Sequence, residues 1–239
     1  MINTQVPKTA LVTGGSRGIG LAIARALVRA GMRVALVARG AEELAARAKE
    51  LDGGTIAVTA DVAVPAEVDR AIAQVRDAFG AVPDLLINNA GIFNPKPLHV
   101  LNGEEFAKMM QINLIAPFYV LRALLPAWRE QRRGHLIMLG SIADRSIFPD
   151  NGAYSASKYG IRAMHEVLRA ETKGTGVRTT LVSPSATDTP IWDTVTLAPG
   201  NRFPPRDQML SADAVADAVV WAATRPPNVN IDELRITAS

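Results

Sequence analysis

The sequence predicts an α/β protein with a doubly wound, mostly parallel sheet of about seven strands and helices on both of its faces. Two observations support this prediction. Short apolar runs, typical of buried strands, alternate along the chain with longer segments in which apolar residues recur at helical spacing. Strands that alternate with helices pair in parallel, and right-handed crossovers then distribute the helices over both faces of the sheet.

Each predicted strand is a run of apolar and β-branched residues bounded by small or polar residues. The strands are predicted at 8–15, 33–39, 55–62, 84–91, 134–141 and 177–184, with a last strand near 228–236. In such a sheet, ligands bind beyond the carboxyl ends of the strands. The residues that follow each strand are therefore the candidates for function.

The predicted helices carry apolar residues every three or four positions. They lie at 19–32, 41–51, 65–79, about 103–132, about 152–173 and 211–224. Pro65 is expected to begin the third helix, because proline is favoured in the first turn. The irregular segment 188–210 is too long for a routine connection and is predicted to be a substrate lid. No linker interrupts the pattern, so residues 1–239 are predicted to form one domain.

The composition argues against several functional classes. Apolar residues make up 48% of the chain and charged residues 21%, which is ordinary for a globular protein. The net charge of +3 is small and the basic residues are scattered, so no nucleic-acid partner is expected. Cysteine is absent and His99, His135 and His165 lie far apart in sequence, so no metal site is expected. No run of about 18 apolar residues occurs, so we expect no membrane association and a cytoplasmic protein.

The turn after the first strand points to a phosphate-bearing ligand. Gly14, Gly18 and Gly20 follow a G-x-x-x-G-x-G spacing between a strand and a helix. The Walker pattern is excluded because Leu21 follows the last glycine where that pattern has lysine. A glycine turn lets backbone amides and the positive end of the helix approach a pyrophosphate, so a dinucleotide is the expected ligand. The alternative is a tight turn that binds nothing.

Five motifs in order resemble those of the classical short-chain dehydrogenase/reductase family, and the resemblance spans nearly the whole chain. They are Thr13-Gly14-x-x-x-Gly18-Ile19-Gly20, Asn88-Asn89-Ala90-Gly91, Asn113 in QINLIAPF, Ser141, and Tyr154-x-x-x-Lys158. The resemblance implies a Rossmann-like fold, a nicotinamide cofactor and an oxidoreductase activity.

The last three motifs supply the candidate catalytic residues Asn113, Ser141, Tyr154 and Lys158. A helix would place Tyr154 and Lys158 on one face, one turn apart. We expect Tyr154 to act as general acid in reduction, with the Lys158 ammonium favouring its phenolate. By resemblance, Lys158 also holds the nicotinamide ribose, Ser141 bonds the substrate oxygen and Asn113 positions a water that links Lys158 to solvent. The alternative, an ordinary tyrosine and a surface lysine, leaves Ser141 and Asn113 unexplained.

The end of the second strand indicates which cofactor is used. An NAD enzyme usually has a carboxylate there for the ribose hydroxyls, whereas this strand ends in Arg39. Arg39 can bind a 2′-phosphate, and Arg17 resembles the second basic position of NADP-preferring relatives. We therefore expect NADP(H) in preference to NAD(H), although Arg39 could instead be a solvated loop arginine. By resemblance, Asp61 contacts the adenine.

The predicted cofactor-binding residues follow the ends of the strands. They are Gly14, Ser16, Arg17, Gly18, Ile19, Gly20, Arg39, Asp61, Val62, Asn89, Ala90, Gly91, Tyr154, Lys158, Pro184, Thr187 and Thr189. Asn88 and Asn89 have a structural alternative, since side-chain amides can pin neighbouring strands. Ser185 stands where the family has glycine, so a loss of positive-φ freedom is expected there.

The substrate is expected to be a hydrophobic ketone or aldehyde. The predicted substrate-binding residues are Ser141, Ile142, Arg145, Phe148, Tyr154 and Trp192, and the rest of the wall is expected from Phe93, Asn94, Asp144, Ile191, Leu197, Phe203 and Met209. Arg145 could meet an acidic group or simply face water. These residues predict an NADPH-dependent carbonyl reductase of the alcohol dehydrogenase type. A 3-oxoacyl thioester reductase is the alternative, and a non-catalytic NADPH-binding regulator is a third hypothesis.

The helices near 103–132 and 152–172 are apolar on more than one face, which favours a homodimer through them, as in the family. A homotetramer is less expected, because the chain lacks the Gly-Gly segment that ends many relatives. Four arginines of the long helix and its end could dock an acyl carrier protein or form a solvated face; they are Arg122, Arg129, Arg132 and Arg133.

Overall fold

Within residues 7–193, 195 and 203–239, which the computed structural model of the chain describes, the strands form one large and one small sheet. The strands are β1 (Thr9–Thr13), β2 (Arg33–Ala38), β3 (Ile56–Thr59), β4 (Leu85–Asn88), β5 (Gly134–Leu139), β6 (Val177–Pro184), β7 (Thr187–Asp188), β8 (Leu210–Ser211) and β9 (Glu233–Ile236). All of them except β7 and β8 follow the predicted apolar runs.

The large sheet has seven strands in the order β3-β2-β1-β4-β5-β6-β9, and every pair is parallel. The central strands β4 and β5 are buried along their whole length, which explains why their sequences are continuous apolar runs. Strand β1 pairs with both β2 and β4, so the order reverses there and a crevice opens beyond the strand ends. The predicted doubly wound parallel fold is confirmed.

The helices cover both faces of this sheet, as predicted. They are α1 (Gly18–Arg29), α2 (Ala41–Leu51), α3 (Pro65–Phe79), α4 (Gly103–Met110), α5 (Ala116–Glu130), α6 (Gly152–Thr172) and α7 (Ala212–Ala223). Buried residues of α1, α2 and α7 pack in one hydrophobic core, and those of α3, α5 and α6 pack in the other. The two cores hold the sheet between them, so the strand ends that carry the site are rigidly supported.

The long helix predicted near 103–132 contains an irregularity that its sequence does not reveal. A π-helical turn, Gln111–Ile115, joins α4 to α5 within a continuous helical stretch. The side chain of Asn113 lies in this turn and binds the backbone of Ile92, which follows β4. A single extra residue in a helix often marks a functional position, because it re-aims one side chain.

The same stretch, Gly103–Glu130, is long and apolar enough to count as a candidate membrane span by length and composition. Its most apolar window has a mean hydropathy of 1.3, and 39% of that window is buried inside the fold. Leu124 and Trp128 of α5 are fully buried in the core beneath the sheet. Part of the apolar character of this stretch therefore comes from the face of a core helix that packs against the sheet.

Two buried histidines predict how stability depends on pH. Burial, and then the nearby Arg178 cation, hold the pKa of His135 well below its usual value. Burial also lowers the pKa of His165. The His135 ring contacts Thr180 Oγ1 at 2.9 Å, while His135 Nδ1 and His165 Nε2 have no hydrogen-bond partner among the described residues. Protonation of either ring is therefore costly in the folded state.

We expect the free energy of unfolding to fall as the pH drops below about 6.5, the ordinary histidine pKa, because the unfolded chain then binds protons that the folded chain does not. Each histidine contributes up to about 1.4 kcal/mol per pH unit, and none of this loss occurs above pH 7. Urea unfolding of the wild type and His135→Gln between pH 5 and 7.5 measures it. The exposed His99 gives the control, since His99→Gln should retain the full pH dependence. Equal pH dependence in all three proteins would contradict the assignment.

Candidate active site

A cleft of about 1290 Å³ lies beyond the carboxyl ends of the strands. Loops after β1 to β6 all contribute to its walls, so it occupies the crevice expected at the reversal of strand order. Of the predicted site residues, those that line it are Gly14, Ser16, Arg17, Gly18, Ile19, Arg39, Asp61, Val62, Asn89, Ala90, Gly91, Ser141, Ile142, Phe148, Tyr154, Lys158, Pro184, Thr187, Thr189 and Trp192. Gly20, Asn113 and Arg145 lie behind the lining.

The glycine turn forms one end of the cleft. Gly14 and Gly18 have positive φ angles of 66° and 57°, which glycine adopts without strain. Helix α1 begins at Gly18, and its N-cap residue Arg17 makes no side-chain cap. The amide groups of the first helical turn are therefore left to an anion, and a pyrophosphate fits this cradle.

Gly20 supports the cradle from behind. A Cβ atom there would lie 2.2 Å from the Gly14 carbonyl oxygen and 2.5 Å from Asn89 Nδ2. The amide Nδ2 of Asn89 donates to the carbonyl oxygens of Thr13 and Gly14 at 2.9 and 3.2 Å. Similarly, Asn88 Nδ2 donates to the carbonyl oxygen of Pro117 at 2.9 Å. Asn89 thus pins the backbone of the turn and Asn88 ties the end of β4 to α5, which favours the structural interpretation of both residues.

We expect Gly20→Ala to lower the free energy of unfolding by about 1–3 kcal/mol, since the added methyl overlaps backbone atoms. The same change should weaken NADPH binding about tenfold or more, because the cradle itself must shift. Gly103→Ala is the matched control, because nothing lies within 4 Å of a Cβ at that position. Calorimetric titration and urea unfolding measure both effects, and a Gly20 variant that matches the control in both would contradict this account.

Two arginines stand at the cofactor end of the cleft. Arg17 and Arg39 both line it, and both are exposed. Neither forms a hydrogen bond or an ion pair with any residue in the described ranges. Asp61, which also lines the cleft, accepts a hydrogen bond from the amide of Ala63 at 2.9 Å. The two guanidinium groups are therefore available to a ligand that carries negative charge.

Ser141, Tyr154 and Lys158 meet in the middle of the cleft. Lys158 Nζ lies 5.6 Å from the centroid of the Tyr154 ring and donates to the Leu139 carbonyl oxygen at 2.9 Å. The hydroxyl groups of Ser141 and Tyr154 are hydrogen-bonded to each other. Ser141 Oγ also accepts a hydrogen bond from the amide of Ala143 at 3.1 Å, which orients the hydroxyl. Helix α6 and the end of β5 thus bring together the residues that the resemblance pairs.

The ionisation of Tyr154 differs from the expectation. Burial raises the pKa of Tyr154 to about 12; the hydrogen bond from Ser141 opposes this rise and the Asp144 carboxylate adds to it. Burial lowers the pKa of Lys158 to about 8, with Asp144 opposing. In the protein without cofactor, the burial of Tyr154 therefore outweighs the influences that favour its phenolate. The Lys158 ammonium is also bound to the Leu139 carbonyl. A protonated Tyr154 suits a proton donor.

Asn113 lies behind the cleft and is 1% exposed. Its Oδ1 accepts from the Ile92 amide at 2.8 Å, and its Nδ2 donates to the Ile92 carbonyl at 2.9 Å and to Ser157 Oγ at 3.2 Å. Ser157 Oγ in turn donates to the carbonyl oxygen of Tyr154 at 2.7 Å. Asn113 thus connects the loop after β4 to the turn of α6 that carries Tyr154. Its role toward a water stays a prediction.

Arg145 is a correction to the expected substrate wall. Its Nε donates to Asp144 Oδ1 at 2.7 Å, and its Nη2 bonds Glu233 of β9. Asp144 is fully buried and also accepts a hydrogen bond from Ser183 Oγ. The guanidinium is therefore neutralised by two carboxylates behind the cleft. Sequence reasoning missed this network because it depends on the pairing of β6 with β9, which no local pattern reveals.

We expect Asp144→Asn to lower the free energy of unfolding by about 1.5–3 kcal/mol, because Arg145 loses a buried charge-assisted partner. Loss of the Asp144 charge should also lower the pKa of Tyr154, so the pH profile of alcohol oxidation should move to lower pH. Glu166→Gln, which removes an exposed partner of Arg162, is the control and should be nearly neutral in stability. Unchanged stability and an unchanged pH profile in the Asp144 variant would oppose the assignment.

Ser185, which stands where the family has glycine, does not have a positive φ, so its backbone does not use the conformational freedom that serine lacks. Its amide donates to the Ile236 carbonyl at 2.8 Å, and its hydroxyl accepts a longer bond from the Ala238 amide at 3.4 Å. The serine therefore links the loop after β6 to the residues after β9.

The segment predicted as a lid is partly ordered by short elements. Trp192 ends a 3₁₀ turn, Pro190–Trp192, and the pair β7–β8 joins the two ends of the segment. Phe203 and Met209 also line the cleft. Leu197, expected in the same wall, lies outside the described residues.

Comparison with known proteins gives consistent matches. The short chain dehydrogenase family profile matches residues 8–199. An uncharacterized oxidoreductase of Staphylococcus epidermidis is 36% identical over 229 residues, covering 96% of each chain. The alcohol dehydrogenase of the archaeon Thermococcus sibiricus, solved with 5-hydroxy-NADP, has a TM-score of 0.85 and 31% identity, covering 97% of this chain and 96% of that one. A 3-ketoacyl-(acyl-carrier-protein) reductase from Brucella melitensis, solved with NADH, has a TM-score of 0.88 and 25% identity, covering 97% of both chains.

Proposed function

Because the chain belongs to the short chain dehydrogenase family of oxidoreductases, we propose that it reduces a ketone or aldehyde to an alcohol, or catalyses the reverse, with NADP(H). One observation carries the proposal. Ser141, Tyr154 and Lys158 line the same cleft as an uncapped glycine turn, with Lys158 Nζ 5.6 Å from the centroid of the Tyr154 ring. A proton donor and a dinucleotide cradle in one cleft are what carbonyl reduction needs.

The residues present fit a nicotinamide dinucleotide. The amides of the first turn of α1 would hold its pyrophosphate, and Arg17 and Arg39 would hold a 2′-phosphate. Lys158 would hold the ribose next to the nicotinamide. When bound, the nicotinamide supplies the hydride. The preference for NADP(H) rests on the lack of an acid at the end of β2 and on the two arginines, which have no partner among the residues that the structure describes.

Residues of the chain would donate the proton and stabilise the charges that develop. Ser141 Oγ accepts from the Ala143 amide, and its own hydrogen would turn from Tyr154 to the substrate oxygen and stabilise the charge that develops there. Tyr154 donates its proton to that oxygen, because its raised pKa keeps it protonated in the resting site. Lys158, fixed by the Leu139 carbonyl, places a cation beside the phenolate that remains.

The organisation of the chain is part of the proposal. We treat residues 1–239 as one domain and 188–210 as its lid, and we place the protein in the cytoplasm. A homodimer through α4, α5 and α6 is favoured by large apolar side chains that stay exposed on these helices; they are Phe106, Ile115, Phe118, Tyr159 and Val167.

A 3-oxoacyl thioester reductase is the second candidate, favoured by the similarity to the Brucella melitensis reductase. The arginine surface proposed for a carrier protein is largely engaged within the chain. Arg129 and Arg132 donate to carbonyl oxygens of Glu171 and Gly174, and Arg133 pairs with Asp84 at 2.7 Å. A carrier-linked substrate that is turned over faster than any free ketone, with a loss in Arg129→Glu, would select this candidate.

A panel of ketones, aldehydes and alcohols with each cofactor tests the proposal. We expect NADPH oxidation with a free ketone or aldehyde, and slower turnover with NADH. Binding of NADPH without turnover of any compound in either direction would favour the non-catalytic regulator instead.

A further inference from the structure

Four aromatic rings meet in the substrate half of the cleft and form what we call the aromatic cluster, Phe93, Tyr154, Trp192 and Phe203. Phe93 is central, with its ring centroid 4.8 Å from Tyr154, 5.2 Å from Trp192 and 5.6 Å from Phe203. Trp192 and Phe203 are 5.1 Å apart. All these pairs have edge-to-face geometry, and all four residues line the cleft. Aromatic residues make up only 5% of the chain, so their gathering around the candidate proton donor is a distinctive feature.

Both sides of the aromatic cluster are held in place by hydrogen bonds. Trp192 Nε1 donates to the Thr187 carbonyl at 2.9 Å, which fixes the plane of the indole. Arg206 bonds both Asp188 and Asp193, which flank that 3₁₀ turn. On the other side, Phe93 follows Ile92, whose backbone is bound twice by Asn113. The rings are therefore preorganised, and a ligand that uses them spends little free energy on ordering them.

The charges around the aromatic cluster disfavour an anionic substrate. Among the described lining residues the cations are Arg17, Arg39 and Lys158. The two arginines follow β1 and β2 at the cofactor end, and Lys158 Nζ is bound to the Leu139 carbonyl. Arg145, the remaining candidate for a carboxylate, is neutralised behind the cleft. Asp207 lines the same side as Phe203 and would repel an anion.

The cluster has one cation beside it among the described residues, Lys158, whose Nζ lies 5.6 Å from the centroid of the Tyr154 ring. Its half-buried ring faces and edges are suited to a flat, neutral ring, because each edge-to-face pair adds about 0.5–1.5 kcal/mol beyond apolar burial. Phe93 contacts both Tyr154 and the lid-side rings, so a ring seated there lies next to the proton donor. Resting on the carbonyl reduction proposed above, we propose that the aromatic cluster is the substrate subsite and that it takes the aryl group of an uncharged aryl ketone or aryl aldehyde.

The test compares three ketones of similar size with NADPH. They are acetophenone, cyclohexyl methyl ketone and 4-acetylbenzoate. We expect kcat/KM for acetophenone to exceed that of the saturated ketone by about tenfold or more, as two or more aromatic contacts imply, and the carboxylate to be the poorest. Trp192→Leu and Phe93→Leu should each bring the ratio of kcat/KM for acetophenone to kcat/KM for cyclohexyl methyl ketone close to one. Trp221→Leu, at an exposed tryptophan of α7, is the control and should keep the preference.

Equal kcat/KM for the aryl and saturated ketones, or an aryl preference that survives in both variants, would overturn the inference and leave the proposed function standing. A binding measurement distinguishes the opposite outcome, in which the aryl subsite exists but the protein does not reduce ketones. In Tyr154→Phe, calorimetric titration of acetophenone in the presence of NADP⁺ should show binding that Trp192→Leu and Phe93→Leu weaken and Trp221→Leu does not. Cluster-dependent binding without reduction of any ketone by the wild type would support the aryl subsite and contradict the proposed function.

Discussion

Tyr154→Phe is expected to lower kcat for carbonyl reduction by about 10²- to 10⁴-fold, the usual contribution of a positioned general acid. The change removes one hydroxyl and keeps the ring, so the contact with Phe93 at 4.8 Å should remain. The hydroxyl is the group that Ser141 binds and that burial keeps protonated, with a pKa of about 12. Loss of NADPH absorbance during reduction of a ketone or aldehyde identified in the panel measures the effect.

The matched control for this variant is Tyr159→Phe, one residue after Lys158 on the same helix. Tyr159 is 39% exposed and does not line the cleft, so its hydroxyl should not affect kcat. NADPH affinity should be unchanged within about twofold in both variants, since neither loses a charge. A Tyr154→Phe enzyme within tenfold of the wild type in kcat would rule out Tyr154 as the proton donor.

Arg39→Ala is expected to weaken NADPH binding about 10- to 100-fold and to change NADH binding by less than about twofold. A charge-assisted hydrogen bond between a guanidinium and a phosphate contributes about 1.5–3 kcal/mol. Arg39 has no partner among the described residues, so its guanidinium is available to the 2′-phosphate. It lines the cleft at the end of β2, where an acid would instead favour NADH. Arg17→Ala should act in the same direction.

Arg29→Ala is the matched control, because Arg29 is an exposed arginine in the last turn of α1, outside the cleft. It should leave both affinities unchanged. Fluorescence titration with each cofactor measures them. Equal losses for NADH and NADPH in Arg39→Ala, or tighter wild-type binding of NADH than of NADPH, would contradict the expected preference.

The fold was predictable because its signals are local. The strand runs around residues 9–13 and 134–139 are mostly apolar, and the intervening helices have clear apolar stripes, so parallel pairing followed from the alternation of strands and helices. The glycine turn was equally readable, since Gly14 and Gly18 do adopt the left-handed region that only glycine enters freely.

The interactions across the sheet were not predictable in the same way. Arg145 looked like a cleft residue because it follows Ser141 closely, but it pairs with Glu233, 88 residues away. Ser185 was expected to lose positive-φ freedom that a glycine would have, yet the backbone there does not have a positive φ and its amide bonds the Ile236 carbonyl. Lys158 was expected to favour the Tyr154 phenolate, whereas burial raises the pKa of Tyr154 and lowers that of Lys158. Each of these three outcomes depends on which residues the fold brings together. The spacing of residues along the chain does not reveal this.

The most direct test of carbonyl reduction at this site traces the transfer of deuterium from NADPH to the alcohol. The protein is supplied with an aryl or aliphatic ketone, ordinary water and NADPH that carries deuterium at both C4 positions of the nicotinamide, and the alcohol is examined by mass spectrometry. This account predicts one deuterium on the carbinol carbon with wild-type protein, and almost no labelled alcohol in the same time with Tyr154→Phe. Alcohol without deuterium at that carbon, or equal labelled product from Tyr154→Phe, would contradict it.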